Sequence, residues 1–368
     1  MPPLDTLASP PAPSRRETVR AQLTQRTKSF TLLAQTVRRS GLNDRTRWFY
    51  LALFTGLIAA LGGAVTGVVL LQDSWLQLLI AAALGIIFTQ FAFLGHEASH
   101  RQVLSSGPAN DRLGRVLATF FVGMSYAWWM NKHTRHHGNP NRVGKDLDIR
   151  PGTLSFRLED AEVRTGIMAW VSRRQGWLFF PLLLFFGLEL HRASIHGLLA
   201  RRPVAGRALE LTLLTTRSVV YLGLLFWFLP FGMAWAFLGV QLAVFGLYMG
   251  SSFAPNHIAM PIIPSDARLD FLDKQVLTSR NVRGGWWMTA LMGGLNYQIE
   301  HHLFPSMPRP HLRRAAILVR HHCEEQGVSY TQTSLPAALA IVVRYLNEVG
   351  LAAPHTFRCP TATRIGSA

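Results

Sequence analysis

From Trp48 to Gly95 the chain carries no Lys, Arg, Glu or His, and its only acid is Asp73, in the short stretch Gln72-Asp73-Ser74. Crossing roughly 30 Å of hydrocarbon takes about 20 apolar residues. Residues 48–71 and 75–95 therefore each read as a membrane span, and the pair as a tight hairpin. A second hairpin fits 209–229 and 233–253, joined at Pro230-Phe231-Gly232. No strand-like alternation is present, so the spans read as helices. Charged residues are only 15% of the chain, against roughly 25% in soluble domains. The fold class that follows is an all-α integral membrane protein with four transmembrane helices in two hairpins.

A net charge of +17 raises nucleic acid as a partner, but its distribution argues against it. Both proposed outer connectors lack Lys and Arg, and every Lys and Arg except Arg217 falls before the first span, between Arg101 and Arg207, or after Phe253. Positive charge collects on the cytoplasmic side, which puts those three segments there and predicts an integral cell (inner or plasma) membrane protein with both termini cytoplasmic. The basic groups are expected to meet anionic headgroups. Cys323 and Cys359 fall on the reducing side and form no disulfide framework.

Around the spans, residues 1–17 read as a disordered Pro-rich arm without the apolar core of a signal peptide. Residues 18–47 read as an amphipathic cytoplasmic helix region, with Gly41 as its stop. Residues 48–335 form the membrane domain, and 336–368 a C-terminal helix and tail. Leu113–Met130 and Trp177–Leu190 are apolar but short or interrupted, and read as in-plane or buried helices.

Eight of the 14 histidines stand in patterned positions. His96-Glu-Ala-Ser-His100 continues the second span, and an i, i+4 pair shares a helical face, which suits two imidazoles meeting one metal. Chance alone supplies roughly half such a pair in a chain this rich in histidine. His133-Thr-Arg-His136-His137 and Gln298-Ile-Glu-His301-His302 repeat the one-face logic, the first stopped by Gly138-Asn139-Pro140 and the second followed by Pro305. His257 lies just beyond the fourth span. Between the second and third groups the chain crosses the membrane twice, so all eight histidines reach one side. Eight imidazoles are too many for one metal, and a pair of metals is the economical reading. Imidazole suits Fe, Zn, Cu and Ni alike. Glu97 and Glu300 are candidate supports for ring N–H groups. A carboxylate di-iron bundle needs two Glu-x-x-His elements, and only Glu97-Ala-Ser-His100 is present.

Three boxes of the form H-x-x-x-H, H-x-x-H-H and Q-x-x-H-H, here HEASH, HTRHH and QIEHH around two hairpins, resemble those of the membrane fatty acid desaturases. The flanking KHTRHHGNPN and QIEHHLFPSMPRP extend the resemblance, which runs from about Trp48 to Tyr330. The Gln of the third box is similar to that of the front-end and linoleoyl-CoA-type branch and of actinobacterial acyl-CoA desaturases. The resemblance implies a cytoplasmic helical cap holding two Fe ions, with His96, His100, His133, His136, His137, His257, His301 and His302 as ligands. Gln298 stands where animal stearoyl-CoA desaturases have a histidine, and Asn256 lies beside His257.

The activity implied is oxygen-dependent insertion of a cis double bond into an acyl-CoA or acyl-lipid chain, by an oxidoreductase acting on paired donors with reduction of O₂ to water. No haem, Fe–S or dinucleotide motif is present in the sequence. Electrons are therefore expected from a separate ferredoxin, cytochrome or flavin reductase. An unactivated methylene offers no polar handle, so a tunnel must position it. Trp128, Trp129, Trp286 and Trp287 are its candidate lining. A hydroxylase or ketolase of alkane, sterol or carotenoid substrates is the nearest rival, separated by gain of oxygen rather than loss of hydrogen. A metal transporter is more remote, because transporters place ligands near the bilayer midplane.

Overall fold

The computed structural model describes residues 28–352. The expected 1–17 arm, the start of the 18–47 region and the tail beyond 352 lie outside the described residues. The described chain opens in helix α1 (28–39), which buries Leu33 and Val37, and turns at Gly41, whose φ of 68° an L side chain adopts with difficulty. Then come α2 (Arg47–Leu71), α3 (Gln77–Ser99), α4 (Gly107–Arg115), a π-helical turn (Val116–Val122) and α5 (Tyr126–Gly138). Short α6 (Leu158–Glu162) and α7 (Gly166–Ser172) lead to the long α8 (Phe179–Leu199), α9 (Arg207–Phe228) and α10 (Phe231–His257). The chain closes with α11 (Phe271–Leu277), β1 (Asn281–Arg283), α12 (Trp286–Leu291), α13 (Gln298–Leu303), α14 (Leu312–Glu325), β2 (Gln332–Ser334) and α15 (Leu335–Ala352). The two three-residue strands pair in parallel, a small exception to the all-helical expectation that so short an alternation could not signal.

Among the described residues six helices are long and apolar enough to cross a membrane: α2, α3, α8, α9, α10 and α15. Two of these exceed the expected four. The reading of Trp177–Leu190 as short or interrupted is corrected. Its charges do not break the helix, because Glu189 and Arg192 pair with each other at 2.6 Å and His191 is bonded to the Gly187 and Val122 carbonyls. By contrast, Leu113–Met130 is broken at Gly123.

Lipid-facing helices show a narrow buried seam. In α2 only Tyr50, Leu57, Ala64 and Val68 are buried, while Leu51, Ile58, Val65 and Val69 are exposed. The main core joins this seam to α3, the π-helical turn and α10. α10 is central, and small residues let it approach its neighbours. A Cβ on Gly246 would lie 2.4 Å from the Gly187 backbone nitrogen, so α8 and α10 touch backbone to backbone.

Two polar clamps position the helices that carry histidines. Arg309 makes two hydrogen bonds to Glu97, of 2.7 and 2.6 Å, and the pair is buried, tying α3 to the segment after α13. The Tyr50 hydroxyl receives the Arg309 backbone N–H and lies 3.3 Å from Glu97, adding α2 to the joint. The second clamp grips the N-terminus of α5. Glu210 of α9 accepts from Ser125 Oγ at 2.6 Å, Ala127 N at 3.1 Å and Arg115 Nε at 3.0 Å. Removing one partner of a buried pair strands the other, at a cost of about 3–5 kcal/mol. Arg309→Ala is expected to destabilise the detergent-solubilised protein by about that much. The double change Glu97→Leu with Arg309→Met should recover most of it, read by thermal unfolding.

Candidate metal centre

Four separated segments deliver eight imidazoles to one place. His96 stands on the last turn of α3 and His100 caps its C-terminus, and the three histidines of α5 stand on its last two turns, where the chain cannot continue as helix past Gly138 and Asn139. His257 is the last residue of α10, and α13 presents Gln298, His301 and His302. The ring nitrogens sort into two groups, each with its members' ligand atoms within 4.8 Å of one another. One contains His96, His100, His133, His137 and His301; the other contains His136, His257 and His302. The sequence did not foretell this partition, since the adjacent residues His136 and His137, like His301 and His302, go to different groups. Stacked rings of His137 and His302, 4.3 Å apart, join the groups.

The three-histidine group is the better defined electrically. His136 Nδ1 is bonded to Asp146 at 2.9 Å, His257 Nδ1 to the Thr278 carbonyl at 2.8 Å, and His302 Nδ1 to Gln275 Oε1 at 2.9 Å. Gln275 donates its amide nitrogen to the His137 carbonyl, which fixes its oxygen toward His302. Each outward bond places the ring proton on Nδ1 and leaves Nε2 as a lone pair facing inward. Gln298 donates to His257 Nε2 at 2.9 Å and accepts from Asn256 at 3.0 Å. His302 Nε2 is buried with no partner at all, and so is His96 Nε2 in the five-histidine group. A buried lone pair left bare costs free energy, and a cation removes that cost. His137 Nδ1 in the five-histidine group is likewise buried without a partner, so each group holds at least one such atom, which fits a metal ion in each.

Protons are poor substitutes for that cation. Burial pushes the His100 imidazole down to about 3. His133, His137, His301 and His302 are held well below the usual imidazole range by burial first and by neighbouring rings second. His136 differs. Burial opposes its charge, but the hydrogen bond and charge of Asp146 outweigh this and raise it.

Two expected supports are corrected. Neither Glu97 nor Glu300 is bonded to a box histidine. Glu97 turns to Arg309, and Glu300 accepts from Asn281 at 2.7 Å and Tyr330 at 2.9 Å, its carboxyl pushed up to about 7 by burial. Neighbours in a helical sequence point about 100° apart, which carries both acids off the metal-facing side. The residues that orient the rings, Asp146, Gln275 and the Thr278 carbonyl, come from loops and from α11, where no spacing rule reaches.

A cavity of about 300 Å³ runs along the groups. His96, His133, His136, His257 and Gln298 form one wall. Trp128 and Trp129 line it, with Phe179, Leu183, Phe186 and Leu190 of α8 and Met249 and Phe253 of α10. Trp286 and Trp287 do not. They are 81% and 53% exposed on α12, and their expected place in a tunnel is corrected to the surface.

Residues 73–334 match the family model "Fatty acid desaturase". The chain is 29% identical to the acyl-lipid (9-3)-desaturase of Physcomitrium patens, over 74% of this chain and 53% of that protein, so it spans about half the moss protein's length. It is 26% identical to the delta(8)-fatty-acid desaturase 2 of Arabidopsis thaliana, over 89% and 75% of the two chains. It is 28% identical to the delta(5) fatty acid desaturase fat-4 of Caenorhabditis elegans, over 82% and 69%.

Histidines kept neutral when folded give the metal-depleted protein a definite pH response. His100 ordinarily titrates near 6.5, so between there and about 3 the unfolded chain binds a proton that the folded chain refuses. Stability therefore falls as pH drops below about 6.5, by about 1.4 kcal/mol per pH unit for each such group. His136 opposes this, since its contribution is fully present at low pH and is lost as pH rises. The neutral rings outnumber it, so thermal unfolding of metal-depleted protein should shift to lower temperature from pH 7 to pH 5.

Proposed function

The chain belongs to the fatty acid desaturase family, and from that premise we propose that it is an oxygen-dependent desaturase that inserts a cis double bond into a fatty acyl chain at a histidine-held pair of irons. The observation that carries the reading is the tautomer-locked His302, whose buried Nε2 lone pair has no partner, in a three-histidine group set beside a five-histidine group. The eight histidines are the proposed ligands, and Gln298 completes the edge of the smaller group. Irons held there would supply an oxidant drawn from O₂ and two electrons, which takes two hydrogens from adjacent methylenes and returns two waters with two further protons.

The residues of this chain do the positioning. Asp146, Gln275 and the Thr278 carbonyl hold three imidazoles as Nδ1–H tautomers, so that only Nε2 faces a metal. The apolar walls of the cavity keep water from the reacting carbon and hold a chain that has no polar handle. Trp128 and Trp129 lie where that chain would pass the histidines. The substrate is an acyl thioester or acyl lipid.

Four crossings remain the reading favoured by charge. Arg173 and Arg174 precede α8, and Arg201 and Arg202 follow it, so both its ends face the cytoplasm and it does not cross. α15 follows β2, which pairs with β1 beside the site, and its Tyr345 lines the cavity, so it belongs to the cytoplasmic cap. Four spans at α2, α3, α9 and α10 then place the centre at the cytoplasmic face of the cell membrane, in a domain covering about 48–335.

His96→Ala and His302→Ala each empty one group of a ligand with no other role. Each is expected to reduce unsaturated product at least a hundredfold in a desaturase-deficient host, with bound iron falling from two toward one per chain. Product analysed by mass spectrometry should show loss of two hydrogens. Gain of one oxygen, or full activity in either variant, overturns the reading.

A further inference from the structure

One face of α5 leads from the proposed metal ligands to the protein surface. Tyr126, Trp129 and His133 lie at i, i+3 and i+7, along one helical stripe. The Trp129 ring stacks on His133 at 4.4 Å and 18°, and Tyr126 lies 6.4 Å from Trp129. Tyr126 in turn forms part of a surface cleft of about 460 Å³, beneath the Arg115 guanidinium at 5.4 Å. Arg101 and Arg202 also line that cleft. Asp111 lies 4.0 Å from Arg101 and the buried Glu210 pairs with Arg115, which leaves the exposed Arg112, Arg201 and Arg202 as the rim's cations without a carboxylate partner among the described residues.

We propose that this arginine-rimmed cleft is the docking site for an acidic one-electron carrier protein, and that Tyr126 and Trp129 connect it to His133 and the metals. The proposal rests on the desaturase reading, which requires two electrons per turnover from outside. Each docked carrier is oxidised by one electron and the metal pair is reduced by one, so two carriers serve each double bond. Charge complementarity selects the partner, since a surface of one sign steers and orients an oppositely charged protein. A second basic patch at Arg142, Lys145 and Lys274 fits less well. Arg142 is already bonded to the Ser265 and Ala267 carbonyls, Asp266, Asp270 and Asp273 are interleaved with it, and no aromatic ring bridges it to a ligand.

The test uses iron-loaded full-length protein in nanodiscs of neutral lipid, without acyl substrate. Stopped-flow oxidation of a reduced acidic [2Fe–2S] ferredoxin is compared with reduction of the metal centre by dithionite, followed in its own absorption. The double variant Arg112→Glu with Arg202→Glu should slow ferredoxin oxidation at least tenfold more than dithionite reduction and should flatten its dependence on salt. Trp129→Leu should slow the ferredoxin arm, and Trp129→Phe should restore most of the rate. Ferredoxin oxidation matching wild type in the double variant overturns the proposal. So does a variant that loses only its binding to anionic-lipid vesicles, which would make the cleft a headgroup site. Wild-type protein that takes electrons from ferredoxin yet forms no unsaturated product once an acyl thioester or acyl lipid and O₂ are added would sink the desaturase reading and leave the docking site standing.

Discussion

Eight imidazoles packed so tightly that His100 and His133 approach to 2.7 Å are the constraint around which the structure is organised. Neutral rings with inward lone pairs do not cohere by themselves, and burial makes protonation a costly way to bind them together. The protein must therefore hold them in place from behind, or a cation must hold them from within. The structure shows the first in detail and fits the second. Asp146, Gln275 and the Thr278 carbonyl grip the outer nitrogens of one group. The Glu97–Arg309 pair locks α3 to the segment beyond α13, and Glu210 fixes the start of α5. Each clamp joins segments far apart in sequence, so the site is assembled only when the helices have packed.

Buried polar clamps of this kind cost desolvation and return geometry. Replacing Glu97 and Arg309 with apolar residues of similar volume need not unfold the protein. It would free α3 to rotate relative to α13, and a rotation of a few degrees displaces an imidazole by a sizeable fraction of a metal–nitrogen bond of roughly 2 Å. The stability term and the positioning term are therefore separable, and the second is the one that bears on chemistry.

Much of this architecture was legible in the sequence because it rests on local rules. The expected spans at 48–71, 75–95, 209–229 and 233–253 correspond to helices with nearby ends, α2, α3, α9 and α10, since apolar length is a local quantity. The histidine spacings were readable for the same reason, as a helix carries i and i+4 to one face. What escaped was set by packing. His136 and His137 are adjacent yet serve different groups, because successive residues diverge by about 100° and two sets of partners lie on the two sides. That same rotation took Glu97 and Glu300 away from the rings they neighbour in sequence. α8 was misread because its charged residues satisfy one another only once the helix exists.

The cavity shows how the same packing sets a selectivity that no single residue encodes. Its walls come from α5, α8 and α10, and the spacing of α8 and α10 is fixed by Gly187 and Gly246, whose backbones are in contact. A side chain at either glycine would have to push the helices apart, because the atoms it meets are backbone rather than flexible side chain. Gly250, one turn further along α10, lies in the cavity wall itself, and there the obstacle is the Leu183 side chain, 2.3 Å from a Cβ. Growth at Gly250 can thus be absorbed by turning Leu183 into the cavity, which narrows it without moving a helix. Narrowing and widening are therefore controlled at different glycines, and an acyl chain, lacking any group that a hydrogen bond could grip, can be sorted only by such differences in shape.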